Sequence, residues 1–89
     1  MNAMSHQDIL TKFLSIVRYI ESLEASESSF FSVEDLAKRW NLDIDTTKKI
    51  IRKLRREGFI RRTRGGNYKL TLAAKVLIRV YKRARERQA

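Results

Sequence analysis

Residues 45–68 read DTTKKIIRKLRREGFIRRTRGGNY, and the fold of the chain turns on this stretch. Thr47, Ile50, Ile51 and Leu54 recur at i, i+3, i+4 and i+7, the spacing of a buried helical stripe. Asp45, Lys49, Arg52 and Arg56 fall on the opposite side, flanked by Thr46, Lys48 and Lys53. Asp43 or Asp45 can cap the N-terminus, and Gly58 stands where a left-handed, helix-ending residue belongs. The spacing predicts a helix over 45–57, held to a core by one side and presenting cations on the other. A charged outer face is most often just a solvated surface, so this helix alone does not choose a function.

The segment after the helix narrows the choice. Phe59 and Ile60 begin a strand, Arg61, Arg62 and Arg64 continue it, and Tyr68, Leu70 and Leu72 alternate with Lys69 and Thr71. That alternation has the period of a half-buried strand. Gly65-Gly66-Asn67 supplies the positive-φ positions that a tight hairpin loop requires. A basic hairpin over 59–72 is therefore predicted. Charged edges deter aggregation, but three arginines within four residues at a loop tip exceed that need.

Working outward, the N-terminal part begins with a helix expected over 8–25, capped by Ser5, with residues 1–5 expected to be disordered. Leu10, Phe13, Leu14, Val17 and Ile20 form its stripe, widened by Ile9, Ile16 and Leu23. Phe30-Phe31 fits a brief strand pairing with the later hairpin. Ser32-Val33-Glu34-Asp35 has capping-box spacing and opens a helix over 33–40, with Val33, Leu36, Ala37 and Trp40 facing a core. Residues 41–45 are a turn in which Leu42 and Ile44 can point inward. Thr71 can cap a last helix over 72–87. Its predicted apolar stripe is Ala73, Val76, Leu77, Val80, Tyr81 and Ala84, and Ile78 falls off that stripe. The expected fold is one domain, 1–89, α+β and mostly helical: helix, short strand, helix, helix, β-hairpin, helix.

Composition limits the partners. The chain has 89 residues, a net charge of +10, no cysteine and no proline. Disulfides and cysteine-ligated zinc are excluded. No apolar run approaches a membrane span and no secretory signal is visible, so a cytoplasmic location is expected, nucleoid-associated in a prokaryote. The charge is polarised: residues 1–47 hold four Lys and Arg against eight Asp and Glu, a net −4, while residues 48–89 hold sixteen against two, a net +14. The simplest partner for such a half is a phosphate backbone. An anionic membrane is the rival on charge alone, and it requires a basic amphipathic helix with apolar residues free to insert.

The stretch FFSVEDLAKRWNLDIDTTKKIIRKLRREGFIRRTRGGNYKLTLAAK, residues 30–75, resembles the winged helix-turn-helix transcriptional regulators, in the broad group that includes MarR-, ArsR- and PadR-like proteins. The carrying motifs are SVEDLAKRWNLD as first helix and turn, TTKKIIRKLRREGFI as recognition helix and strand, and YKLT as strand and cap. The resemblance implies that the second helix of the motif enters the major groove and that the wing touches backbone or minor groove. By position it puts base-edge contacts on Thr46, Lys48, Lys49 and Arg52, and phosphate or minor-groove contacts on Arg62, Arg64 and Asn67. Lys53, Arg56 and Arg61 complete the candidate DNA-binding set. The chain lacks the ligand-binding segment of larger regulators and the metal-site residues of metal-sensing ones.

No catalytic constellation, cofactor motif or metal-ligand cluster is present: the single histidine, His6, lies near the N-terminus, and Gly65-Gly66 connects two strands instead of opening a helix. The expectation is a non-enzymatic, double-stranded DNA-binding regulator needing no cofactor or metal. One recognition helix reads few base pairs, so a homodimer is expected, with Ile78 and Tyr81 as candidate contacts. The other readings are a winged-helix protein-interaction module of a transcription, replication or RNA-processing assembly and a non-specific architectural DNA-binding protein. The last helix is either a third DNA-contacting element or a dimer arm.

Overall fold

The computed structural model of the chain describes residues 6–26 and 28–88, with side chains for 11–26 and 28–87. The expected disorder of residues 1–5, the Ser5 cap, and the contributions of His6, Ile9 and Leu10 lie outside those described. Four helices, α1 (His6–Glu24), α2 (Val33–Trp40), α3 (Ile44–Arg56) and α4 (Leu72–Gln88), surround a two-stranded antiparallel sheet of β1 (Ile60–Arg62) and β2 (Tyr68–Leu70). The architecture is mostly helical α+β.

Local chemistry sets the helix ends. Ser32 caps α2 through a capping box: Asp35 N–H donates to Ser32 Oγ, and Ser32 N–H donates to Asp35 Oδ2, each at 3.1 Å. The helix stops at Asn41, which takes the left-handed conformation with φ 56°. Leu42 N–H then reaches back to the Ala37 carbonyl at 3.0 Å, turning the chain and half-burying Leu42. Two residues on, Asp43 caps α3, so the helix starts at Ile44, whose side chain is exposed instead of pointing inward. The same terminating device closes α3. Gly58 has φ +82°, Gly58 N–H donates to the Arg55 carbonyl, and Phe59 N–H donates to the Leu54 carbonyl at 2.9 Å.

The core has two lobes. Leu23, Phe31, Leu36, Ile51, Leu54 and Ile60 form one. Val17, Ile20, Ala74 and Ile78 form the other, where α1 meets α4. Ile16, Phe59 and Leu70 pack against both and join them. Trp40 is half-buried: its ring lies 4.9 Å from Tyr19, and its indole N–H donates to Ser22 Oγ at 2.9 Å. It is thus an anchor between α2 and α1. Thr47, the one polar member of the α3 stripe, is fully buried and satisfies its hydroxyl on the Asp43 carbonyl at 2.8 Å.

The Phe30-Phe31 strand reduces to one bridge. Phe31 and Tyr68 exchange backbone hydrogen bonds of 2.9 and 2.7 Å. Pairing stops there because Ser28 Oγ engages both the N–H and the carbonyl of Phe30, and Ser32 is already a helix cap. The hairpin strands are likewise shorter than 59–72, although Thr71 N–H still bonds the Phe59 carbonyl at 3.0 Å. Thr71 Oγ1 accepts from Ala74 N–H and so caps α4.

The packing of α4 corrects the expected stripe. Ile78 is 0% exposed, wedged with Ala74 against Val17 and Ile20 of α1. Its side chain is therefore unavailable to a second subunit, and Tyr81 is half-buried at the same seam. The predicted stripe is instead largely outside: Ala73 and Ala84 are exposed, Val76 is 49% exposed and Val80 59%, and Leu72, expected on the hairpin strand, opens α4 at 76%. Apolar residues wrap most of the circumference between 72 and 81, so periodicity alone leaves two faces eligible. α1 decides between them.

Candidate nucleic-acid interface

With Thr47, Ile51 and Leu54 buried, α3 presents Lys48, Lys49, Arg52, Lys53, Arg55 and Arg56 to solvent, all exposed. Lys48, Arg52 and Arg55 follow i, i+4, i+7 and form one row along the helix. This row lines a cleft of about 200 Å³ whose other walls are Val33 at the start of α2, Ile51, and Tyr68 on β2. Arg55 has no place among the sequence-based candidates, yet it belongs to the row. Its seven-residue spacing from Lys48 was the available signal.

The first turn of α3 differs chemically from the rest. Thr46 N–H donates to Asp43 Oδ2 at 3.1 Å and Thr46 Oγ1 donates to Asp43 Oδ1 at 2.6 Å. These bonds, the side-chain one foremost, hold the Asp43 carboxyl below the usual carboxylate range. Thr46 is half-buried and its hydroxyl proton is committed to the cap. Asp45 adds a second carboxylate in that turn. Two anions at the helix N-terminus repel phosphate there, so a polyanion would meet α3 through the cations from Lys48 onward.

The hairpin extends the basic surface. Ile60 pairs with Leu70, Arg61 with Lys69, and Arg62 with Tyr68. Arg61 opposite Lys69 is a like-charge cross-strand pair, unfavourable in isolation. Lys69 turns toward the Phe30 ring, 5.9 Å from its centroid. In the loop, Thr63 N–H bonds the Asn67 carbonyl at 2.7 Å, Asn67 N–H bonds Thr63 Oγ1 at 3.2 Å, and Gly66 N–H bonds the Thr63 carbonyl at 3.0 Å. Of the three tip residues, Gly66 alone takes positive φ, +83°. Asn67 is instead held by Thr63, half-buried at the base of the loop. Arg62 lies beside Gly66, and Arg61, Arg62 and Arg64 are exposed.

Outside α3 and the hairpin, Arg39, Lys82 and Arg85 are engaged within the fold. Arg39 donates to the Ser22 carbonyl and to Ser26 Oγ and lies 5.5 Å over Phe31. Lys82 bridges Glu24 at 3.5 Å, and Arg85 lies 5.4 Å over Tyr81. Among the described residues no cation of α3 or of the hairpin forms a salt bridge. These charges are left unneutralised on one continuous stretch of chain. Among the described residues, no group of three or more His, Cys, Asp or Glu is placed to hold a metal, and no helix is long and apolar enough to cross a membrane. Compared with known proteins, the chain matches no family model, no curated protein and no solved structure.

Proposed function

We propose that this chain is a winged helix-turn-helix protein that binds double-stranded DNA, a cytoplasmic or nucleoid-associated transcriptional regulator acting as a homodimer without metal, cofactor or enzymatic activity. In this reading α2 and α3 are the helix-turn-helix and β1–β2 is the wing. Lys48, Lys49, Arg52, Lys53 and Arg55 enter or border the major groove, Arg56 faces the backbone, and Arg61, Arg62 and Arg64 reach backbone or minor groove. Thr46 contributes its methyl and acceptor lone pairs, and Asn67 chiefly shapes the wing.

The observation that carries the proposal is the run of unpaired, exposed cations from Lys48 to Arg64, interrupted only by core residues, the loop and Glu57. Their mutual repulsion is relieved when an anion of matching length covers them. Selection of bound duplexes from a random pool, read together with a bandshift on mixed duplex DNA, tests it. A recovered consensus supports the regulator. Retention without consensus places the chain among architectural DNA-binding proteins. Absence of any shift at low salt refutes DNA binding and leaves the protein-interaction module.

A further inference from the structure

The outer side of α4 is a second surface, and its chemistry is sorted by ridge. Residues four apart form parallel ridges along a helix. Leu72, Val76, Val80 and Ala84 make one apolar ridge, and all four are exposed. Lys75, Arg79, Arg83 and Arg87 make the adjacent ridge, which is wholly cationic and equally exposed. None of these four side chains forms a salt bridge or hydrogen bond with another described residue. Ala74 and Ile78, on the far side, are buried against α1. The apolar ridge lies in an open groove of about 560 Å³, with Ala73, Leu77 and Phe59 as its other wall. Contiguous apolar surface of this kind marks an interaction site.

We infer that an acidic amphipathic helix of another protein docks along α4. Its apolar ridge fills the groove, and a neighbouring ridge of Asp and Glu lies on Lys75, Arg79, Arg83 and Arg87. The pairing of the two ridges selects this occupant, because it must satisfy a line of apolar contacts and a line of positive charge side by side. A DNA duplex would meet the cationic ridge and leave the apolar one uncovered. A bilayer takes up amphipathic helices anchored by bulky aromatic residues, whereas this ridge offers Leu, Val and Ala in a groove beside half-buried Phe59. A second copy of the chain would bring like charges together. At ~1.5 Å per residue each ridge runs about 18 Å, the reach of roughly three turns of a partner helix. That scale suits a helix laid in a groove, where a few anchor side chains carry the affinity. The small side chains of Ala73, Val76 and Val80 admit its close approach. The inference goes beyond the DNA-binding reading and draws on none of the α3 or hairpin cations, so either can fail without the other.

Fluorescence anisotropy with the full chain and a labelled peptide of about 18 residues is the test. The peptide carries Leu at i, i+3, i+4 and i+7 and Glu along the flanking ridge, and its controls are a scrambled form and a form with Gln for every Glu. The Glu peptide should bind at least about tenfold more tightly than the scrambled one. Val80→Glu should weaken it by about tenfold or more. Arg79→Ala/Arg83→Ala should weaken the Glu peptide and leave the Gln peptide unchanged, removing part of the salt dependence. Both variants alter exposed positions only, so their circular dichroism spectra and melting temperatures should match the wild type. Lys48→Ala/Arg52→Ala/Arg55→Ala should leave peptide binding unchanged. Equal affinity for the Glu and scrambled peptides, indifference to both α4 variants, or loss in the α3 variant instead overturns the inference. So does a groove that Val80→Glu shows to be used by phosphatidylglycerol vesicles or by self-association in sedimentation equilibrium, with no preference for the Glu peptide. Loss of random-duplex binding in Arg79→Ala/Arg83→Ala without loss of the peptide would assign the ridge to DNA and overturn it as well.

Discussion

α3 and α4 are both rich in lysine and arginine, yet the fold uses them in opposite ways. α3 buries Thr47, Ile51 and Leu54 of its stripe, half-buries Ile50, and from Lys48 onward leaves a solvent side made of charge. α4 buries Ala74 and Ile78 and leaves Leu72, Val76 and Val80 outside. What separates them is the number of eligible faces. On α3 one arc is apolar, so the core and the charged surface are settled together. On α4 the apolar arc is wider than one neighbour can cover, and α1 takes part of it. A basic helix whose only exposed apolar side chain is Ile44 in its first turn suits a polyanion. One with an unclaimed apolar strip suits another helix. The charge total alone would have classed the two together.

The largest effect should come from exchanging faces on α4. Ile78→Ala removes a fully buried side chain and should destabilise the fold by about 2–5 kcal/mol, whereas Val80→Ala should change it by less than about 0.5 kcal/mol. Urea unfolding of the monomer distinguishes them. Equal losses at the two positions would mean that the helix packs by another face.

α3 was legible in the sequence to within one residue at each end, as were Thr47, Ile51 and Leu54 of its stripe, because each rests on short-range chemistry; Ile44, expected to point inward from the turn, is exposed instead. Ser32 and Asp35 sit at capping-box spacing, Asp43 precedes a periodic run, and Gly58 comes after it. Asn41, read only as part of the turn, proves to be the left-handed stop of α2. The seating of α4 was not legible, since it depends on which residues of α1 arrive opposite. Nor was the shrinking of the Phe30-Phe31 strand to one bridge, which results from the Ser28 hydroxyl binding the Phe30 backbone. On the candidate site, Lys48 and Arg52 were found by helical periodicity. The cleft that joins them to Arg55 and Tyr68 is a tertiary feature.

The next effect in size concerns α3. Arg52→Ala should cost about 1–3 kcal/mol of binding on a preferred duplex and relax preference at the base it reads, with no change in melting temperature. An equal loss on random DNA would assign Arg52 to the backbone. On the wing, Arg64→Ala should weaken binding to all sequences alike and flatten the log–log salt dependence by about one unit. An unaltered slope would remove the wing from the footprint.

The smallest effect is on pH. The Asp35 carboxyl is held low by the Ser32 N–H and then by its hydroxyl, and the Asp43 carboxyl by Thr46. Both groups therefore ionise more readily in the folded chain than in the unfolded one. Their contribution is fully present above the ordinary carboxylate range and is lost as pH falls through the lowered folded values. The melting temperature should decline on acidification, and Asp43→Asn, which caps without titrating, should decline less. A variant that tracks the wild type throughout would show that the Asp43 cap does not couple to folding.

The most direct test of the central claim is the salt dependence of duplex DNA binding for the wild type and for Lys48→Ala/Arg52→Ala/Arg55→Ala. The account predicts tight binding at low salt, with a slope near −0.9 per phosphate contacted and up to about 2.7 units shallower in the triple variant. A wild type that fails to bind at low salt, or a triple variant with an unchanged slope, would contradict it.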